Sequence, residues 1–287
     1  VIDPSWNPGY VGLVRCDNIR VENLVLENNG QGILLAGTEN SRIENCTCSN
    51  NYYGIYLYSS SNITLTYNIC DNNYYYGINF DSSSNNTLTN NSCSNNSSFG
   101  IYFLVSSNNN LTNNSCGNNY RGIFLDQSDN NTFTNNSCSN NRYGITLSSS
   151  FNSTLTNNTC DNNSAHGIYL SYSSSNNTLT NNSCSNNSSY GIWLNGNISN
   201  NTLNNNTCDN NYYGIYIRHS SNNNTLTNNS CSNNSSYGIY LESSGTNRIF
   251  HNNFINNATQ AYDDGSNYWD NGYPSGGNYW SDYTGAD

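Results

Sequence analysis

Lysine and methionine are absent from the 287 residues, proline occurs three times, and charged residues make up only 9% of the chain. All seven basic residues are arginine and the net charge is -11, so the surface repels nucleic acid and anionic membranes. No apolar run approaches the roughly 18 residues that a membrane-spanning helix needs. No charged-then-apolar leader opens the chain, which begins at Val1, as expected of a processed or excised polypeptide. Helix-forming stretches are almost missing, which excludes helical solenoids.

Asparagine dominates what is there, with 68 residues, nearly a quarter of the chain. Such a bias alone reads as disorder. Order comes from three phased columns. A Gly-Ile step recurs at Gly32, Gly54, Gly77, Gly100, Gly122, Gly144, Gly167, Gly191, Gly214 and Gly238, at intervals of 22 to 24 residues, with Gly12 as a degenerate start. A second column runs Ile43, Leu65, Leu88, Leu111, Phe133, Leu155, Leu179, Leu203, Leu226 and Ile249. A third, always five residues later, is Cys48, Cys70, Cys93, Cys116, Cys138, Cys160, Cys184, Cys208 and Cys231.

Each unit reads as short period-two strands separated by Asn and Ser clusters. About 23 residues with several strand-and-turn steps matches one coil of a parallel β-helix, in which every strand pairs with its copy one coil away. The expectation is an all-β, right-handed parallel β-helix of about ten coils over residues 1–250, with an aromatic C-terminal capping segment over 251–287. Asn doublets such as Asn50-Asn51 and Asn186-Asn187 fall at one corner, where Asn tolerates left-handed backbone and stacked amides bond from coil to coil.

Units such as Asn-Tyr-Tyr-Gly-Ile-Tyr-Leu followed by Asn-Asn-Thr-Leu-Thr-Asn-Asn resemble the β-helix repeats of the NosD-type, carbohydrate-binding and sugar-hydrolase superfamily. The endings Asn267-Tyr268-Trp269-Asp270 and Gly277-Asn278-Tyr279-Trp280 look like those of Asn-rich archaeal cell-envelope (sheath or surface-layer) proteins. The resemblance implies the fold strongly and a function weakly, because the superfamily spans polysaccharide-cleaving enzymes, a periplasmic copper-maturation protein and surface proteins.

No catalytic cluster stands out. Arg121, Asp126, Asp129 and Arg142 form the best acid-base group and read more simply as surface ion pairs. His166, His219 and His251 fall in different coils, so no metal site is assigned. Asp263, Asp264, Asp270 and Asp282 offer oxygen ligands for calcium at the cap, without the spacing of a calcium loop.

Tyr56, Tyr102, Phe124, Tyr169, Trp193, Tyr216 and Tyr240, each two residues after the column glycine, are expected to face outward as an assembly or glycan-stacking surface. Coil neighbours about 4.8 Å apart put the nine column cysteines within reach of ladder disulfides, although parallel Cβ vectors are unfavourable. Eleven cysteines cannot all pair within one chain, so Cys16 and Cys46, off the column, are candidates for intermolecular bonds. Among 25 Asn-X-Ser/Thr triplets, Asn45, Asn62, Asn110, Asn152, Asn197 and Asn257 are candidate glycosylation sites in an extracellular, cell-surface chain. The sequence therefore favours a non-enzymatic envelope component that associates with copies of itself. A glycan-binding or polysaccharide-cleaving β-helix is the alternative, and a copper-maturation protein the weaker one.

Overall fold

A computed structural model describes residues 1–6 and 8–284 of the chain. It is an all-β parallel β-helix of right-handed type, divided into two compact units, Val1–Arg142 and Tyr143–Asp287. The last three residues of the expected cap, 285–287, lie outside the described residues.

In the first unit the long strands Val11–Val14, Gln31–Ala36, Tyr53–Tyr58, Tyr76–Asp81, Phe99–Leu104 and Arg121–Asp126 stack in parallel. Their register places Ile33, Ile55, Ile78, Ile101 and Ile123 in one line. Short strands from Arg20–Glu22 to Thr132–Thr134 form a second face. Single-residue bridges at Thr47, Ile69, Ser92 and Ser115 form the third. The second unit repeats the plan with the long strands Tyr143–Ser148, His166–Ser171, Tyr190–Asn195, Tyr213–Arg218, Tyr237–Glu242 and Thr259–Asp263. The described residues thus make about twelve turns rather than ten. The first and last escaped the Gly-Ile pattern because Val11–Val14 and Thr259–Asp263 lack that step.

Alternation decides the core. Within Gly-Ile-X-Leu the Ile and Leu point inward and are fully buried, as at Ile192 and Leu194. The glycine is required by its neighbours. A Cβ on Gly191 would stand 2.6 Å from the carbonyl oxygen of Gly214 in the next coil and 2.9 Å from that of Cys184.

Asparagine works in pairs at all three corners, not at one. The first of each doublet takes the left-handed conformation, as Asn181 (φ 56), Asn205 (φ 57) and Asn228 (φ 57) do. The second is buried and bonds upward. The Asn182 backbone N–H donates to Asn206 Oδ1 at 3.0 Å, and its Nδ2 donates to the same oxygen at 2.9 Å and to the Leu155 carbonyl at 3.0 Å. Asn206, Asn229 and Asn252 continue that column identically. Parallel columns run through Asn163, Asn187, Asn211 and Asn234, and through Asn177, Asn201, Asn224 and Asn247. Buried corner backbone that would otherwise lack partners is satisfied by these amides.

None of the eleven cysteines is joined in a disulfide, which corrects the expectation of ladder disulfides. The nine column cysteines are fully buried and follow one another from coil to coil, Cys48, Cys70 and Cys93 in one unit and Cys184, Cys208 and Cys231 in the other. Parallel Cα–Cβ vectors in a register-locked stack present the thiols side by side instead of toward each other. Cys46 is buried and bonded to the Glu44 carbonyl at 3.3 Å, so it is not placed for an intermolecular bond. Cys16 is partly exposed.

At the C-terminal end of the second unit, Asn267 and Asn278 receive the amide columns from Asn247 and Asn252. Trp280 stacks on Phe254 with ring centroids 4.8 Å apart, and Trp269 lies 5.6 Å from Trp280.

Candidate functional site

The long-strand face carries three outward columns, one residue before and two and four residues after each glycine. In the second unit they make a continuous aromatic plate. Tyr169 stacks on Trp193 with centroids 4.4 Å apart and planes 13° from parallel, and Trp193 stacks on Tyr216 at 6.1 Å and 10°. Tyr240 stacks on Tyr262 at 4.5 Å. The preceding column packs beside them, with His166 on Tyr190 at 4.6 Å. Tyr56, Tyr102, Phe124, Tyr169, Trp193 and Tyr240 are therefore half-buried, and Tyr216 is only 5% exposed, so the rings offer edges more than open faces. The row is interrupted where Asn79 and Thr146, both buried, occupy the same position.

A diagonal rule ties the plate together. The hydroxyl of the tyrosine two after glycine reaches the polar residue four after glycine in the next coil. Tyr56 donates to Asp81 at 3.4 Å, Tyr216 donates to Glu242, and Tyr169 accepts from Asn195 Nδ2 at 3.2 Å. Burial first, and the Asp81 charge second, push the Tyr56 hydroxyl up to about 12. Tyr102, beside Asp126, is likewise pushed up to about 12, mainly by burial.

One stretch departs from the regular coil. From the fourth residue after glycine to the next inward Leu there are ordinarily seven residues, as from Asp81 to Leu88, but eight from Ser171 to Leu179, Asn195 to Leu203 and Arg218 to Leu226. Directly after the strand an ordinary turn has a single left-handed residue, such as Ser82 (φ 52), whereas these three have two in a row: Tyr172 and Ser173 (φ 49 and 65), Gly196 and Asn197 (φ 95 and 55), and His219 and Ser220 (φ 57 and 59). The widened turns open a cleft of about 480 Å³ lined by Tyr169, Tyr172, Ser173, Asn195, Asn197 and His219, among others. Tyr172 is 73% exposed at its edge.

Asn195 is the hub of this cleft. Its Oδ1 accepts from Arg218 Nε at 3.0 Å and lies 2.9 Å from His219 Nδ1, which therefore carries its proton on Nδ1. The Arg218 guanidinium lies over Trp193 and Tyr216, 5.1 and 5.5 Å from their centroids, and Nη1 donates to the Tyr216 hydroxyl at 3.4 Å. The indole N–H of Trp193 is buried without a protein acceptor.

The residues singled out from sequence are not all brought here. Tyr169, Trp193, Tyr216 and Asn197 belong to this neighbourhood, whereas Tyr56, Tyr102 and Phe124 belong to the other unit. Arg121 lies over Phe124 at 4.1 Å and Arg142 over Tyr120 at 5.3 Å, so both guanidinium groups rest on rings. Sequence reasoning missed the cleft itself, although its signal, an eight-residue turn in three successive coils, was present in the spacing.

The candidate glycan acceptors divide as well. Asn45, Asn62, Asn110, Asn152 and Asn197 are exposed. Asn257 is buried, with Nδ2 donating to the Cys231 carbonyl and to Gln260 Oε1, both at 2.8 Å, so it is not an accessible acceptor. At the cap, Asp263 is spent on Gly265, Asn267 and Trp269, and Asp264 on the Ser243 N–H. The four aspartates are not brought together into a calcium site.

The family described as periplasmic copper-binding protein (NosD) matches residues 5–137 and 105–285. The chain belongs to the NosD family. No curated protein matches it. Among solved structures, the NosD-family chain is similar to the A-module of the Azotobacter vinelandii mannuronan C-5 epimerase AlgE6, at 17% identity over 88% of this chain and 72% of that one, with a TM-score of 0.64. It is also similar to the Dettilon tailspike protein, at 17% identity over 87% of this chain and 60% of that one, with a TM-score of 0.72. A third is a variant of the periplasmic alginate epimerase AlgG, at 16% identity over 88% and 74%, with a TM-score of 0.59. At these identities the likeness is one of fold. The expected kinship with archaeal envelope proteins finds no support among them.

The family description raises copper, and the residues do not fit it. Among the described residues, no group of three or more His, Cys, Asp or Glu side chains is placed to hold a metal. The nine column thiols are sealed in the core, out of reach of an ion from solvent. A soft metal needs an accessible thiolate.

Proposed function

We propose that this NosD-family chain is a glycan-binding β-helix protein working in the periplasm or outside the cell, and that it binds through the widened-turn cleft of its second unit. The cleft carries the reading: three consecutive coils depart from a strict repeat where ring edges, an amide and an imidazole converge, with the Arg218 guanidinium bonded to that amide. Sugars are bound by this combination, with apolar C–H faces against aromatic rings and hydroxyls shared among planar polar groups. The names of the structural neighbours, two of them polysaccharide epimerases, support a glycan over a self-assembling sheath. This reverses the order in which the sequence ranked the two. No described helix is long and apolar enough to cross a membrane. The segment 251–287 serves as a cap over the last coil, through Trp269 and Trp280.

Binding is the proposed activity rather than cleavage, because two of the three acids of the outer column, Asp81 and Glu242, accept from tyrosine hydroxyls within the plate, and the third, Asp126, stands beside Tyr102. A glycan array probed with the folded chain tests the reading, with parallel assays for new reducing ends and for unsaturated products. Retention on a defined set of polysaccharides without product supports it. Scission would move the chain to catalysis, and an empty array would remove the glycan.

A further inference from the structure

We infer that the cleft takes an acidic sugar, with the carboxylate of a uronic acid residue seated on Arg218, which Asn195 ties to the cleft, and a hydroxyl of the same sugar donating to His219. The inference rests on the glycan-binding reading and deepens it.

The whole chain carries a net charge of -11, and only two of its seven arginines, Arg218 and Arg248, follow residue 143. A cation in this unit is therefore placed rather than statistical. Arg218 is held on three sides: Nε on Asn195, Nη1 on the Tyr216 hydroxyl, and its plane over Trp193 and Tyr216. Of the five N–H donors of a guanidinium, two are thus occupied. The three that remain are one on Nη1 and two on Nη2, and these two nitrogens form a fork that matches both oxygens of a carboxylate.

His219 is fixed by the same amide. With Nδ1–H donating to Asn195 Oδ1, its Nε2 is left as an acceptor for a sugar hydroxyl, and the ring lines the cleft. The nearest acid along the outer column, Glu242, is engaged by the Tyr216 hydroxyl and makes no ion pair with Arg218. Tyr169 and Tyr172 line the same cleft, where their ring edges can meet the apolar face of a pyranose. The cleft volume, about 480 Å³, accommodates a short stretch of a chain rather than a single small anion.

The test uses calorimetric titration of the full chain with three probes: a galacturonic acid hexamer, the same hexamer fully methyl-esterified, and dextran sulfate. The expected result is binding of the free acid at least 10-fold tighter than the ester, with dextran sulfate weak. Arg218→Gln should reduce affinity for the acid about 10-fold and leave the ester unchanged. His219→Gln, an exposed substitution, should weaken acid and ester alike several-fold without altering the melting temperature. Equal affinity for acid and ester overturns the carboxylate seat while glycan binding stands. Tight binding of dextran sulfate to both wild type and Arg218→Gln overturns the seat as mere charge attraction. Failure of both hexamers overturns the uronate, and only failure of the neutral glycans of the array as well removes the glycan reading.

Discussion

Asparagine explains itself at the residue scale once its two positions are separated. The exposed member of each doublet is there for its left-handed backbone, which disfavours residues with a Cβ by roughly 1–2 kcal/mol. The buried member is there for its amide. Asn182→Ala removes partners from the Leu155 carbonyl and the Asn206 oxygen and breaks the column at Asn158, so it should destabilise the chain by about 3 kcal/mol in urea unfolding. Asn181→Gly should change it by a few tenths. The sequence made the Asn excess readable as corner chemistry, but spacing alone could not say which member of a doublet points inward. Tyrosine hydroxyls give a second prediction. Tyr56 and Tyr102 hold their protons in the fold up to about 12, against an ordinary value of 10.0. The folded state binds those protons more tightly than the unfolded one, so their contribution is complete below about pH 10 and is lost as pH climbs toward 12. Melting temperature and tyrosinate absorbance, followed together from pH 8 to 12, should show the fall in stability tracking ionisation.

At the scale of the element, the column cysteine and the widened turn show two limits of sequence reading. The thiol column was visible as a period, yet its chemistry depended on side-chain direction, which the parallel register fixes and composition does not. Alkylation of the native chain should label Cys16 and spare the nine column thiols, and a reductant should leave the melting temperature unchanged; a downward shift would indicate bridges. The turns were visible as coils of 23 and 24 residues, but the same intervals also arise from insertions at another corner, as before Gly77 and Gly100. Only the count from the fourth residue after glycine to the next Leu assigns the extra residue. Deleting Ser173 returns its coil to the ordinary length, and the shortened chain should melt near the wild type while losing most of its glycan affinity. Loss of both together would make the turn structural.

Over the whole molecule, the fold was legible because one coil repeated many times supplies its own alignment, and only the outermost turns, which lack Gly-Ile, went uncounted. Function was not legible in the same way, since what repeats describes the scaffold and a site is made by departure from the repeat. The first ranking, an assembling envelope protein, followed from attending to the columns; the cleft appears where three coils break them. Its location is the central claim. Hydrogen-exchange mass spectrometry of the chain, with and without the oligosaccharide retained most strongly on the array, tests that claim most directly. Protection is predicted in residues 169–174, 193–198 and 217–221, with the corresponding turns of the first unit unchanged. Protection confined to the first unit, or binding with no protection in these three turns, would contradict it.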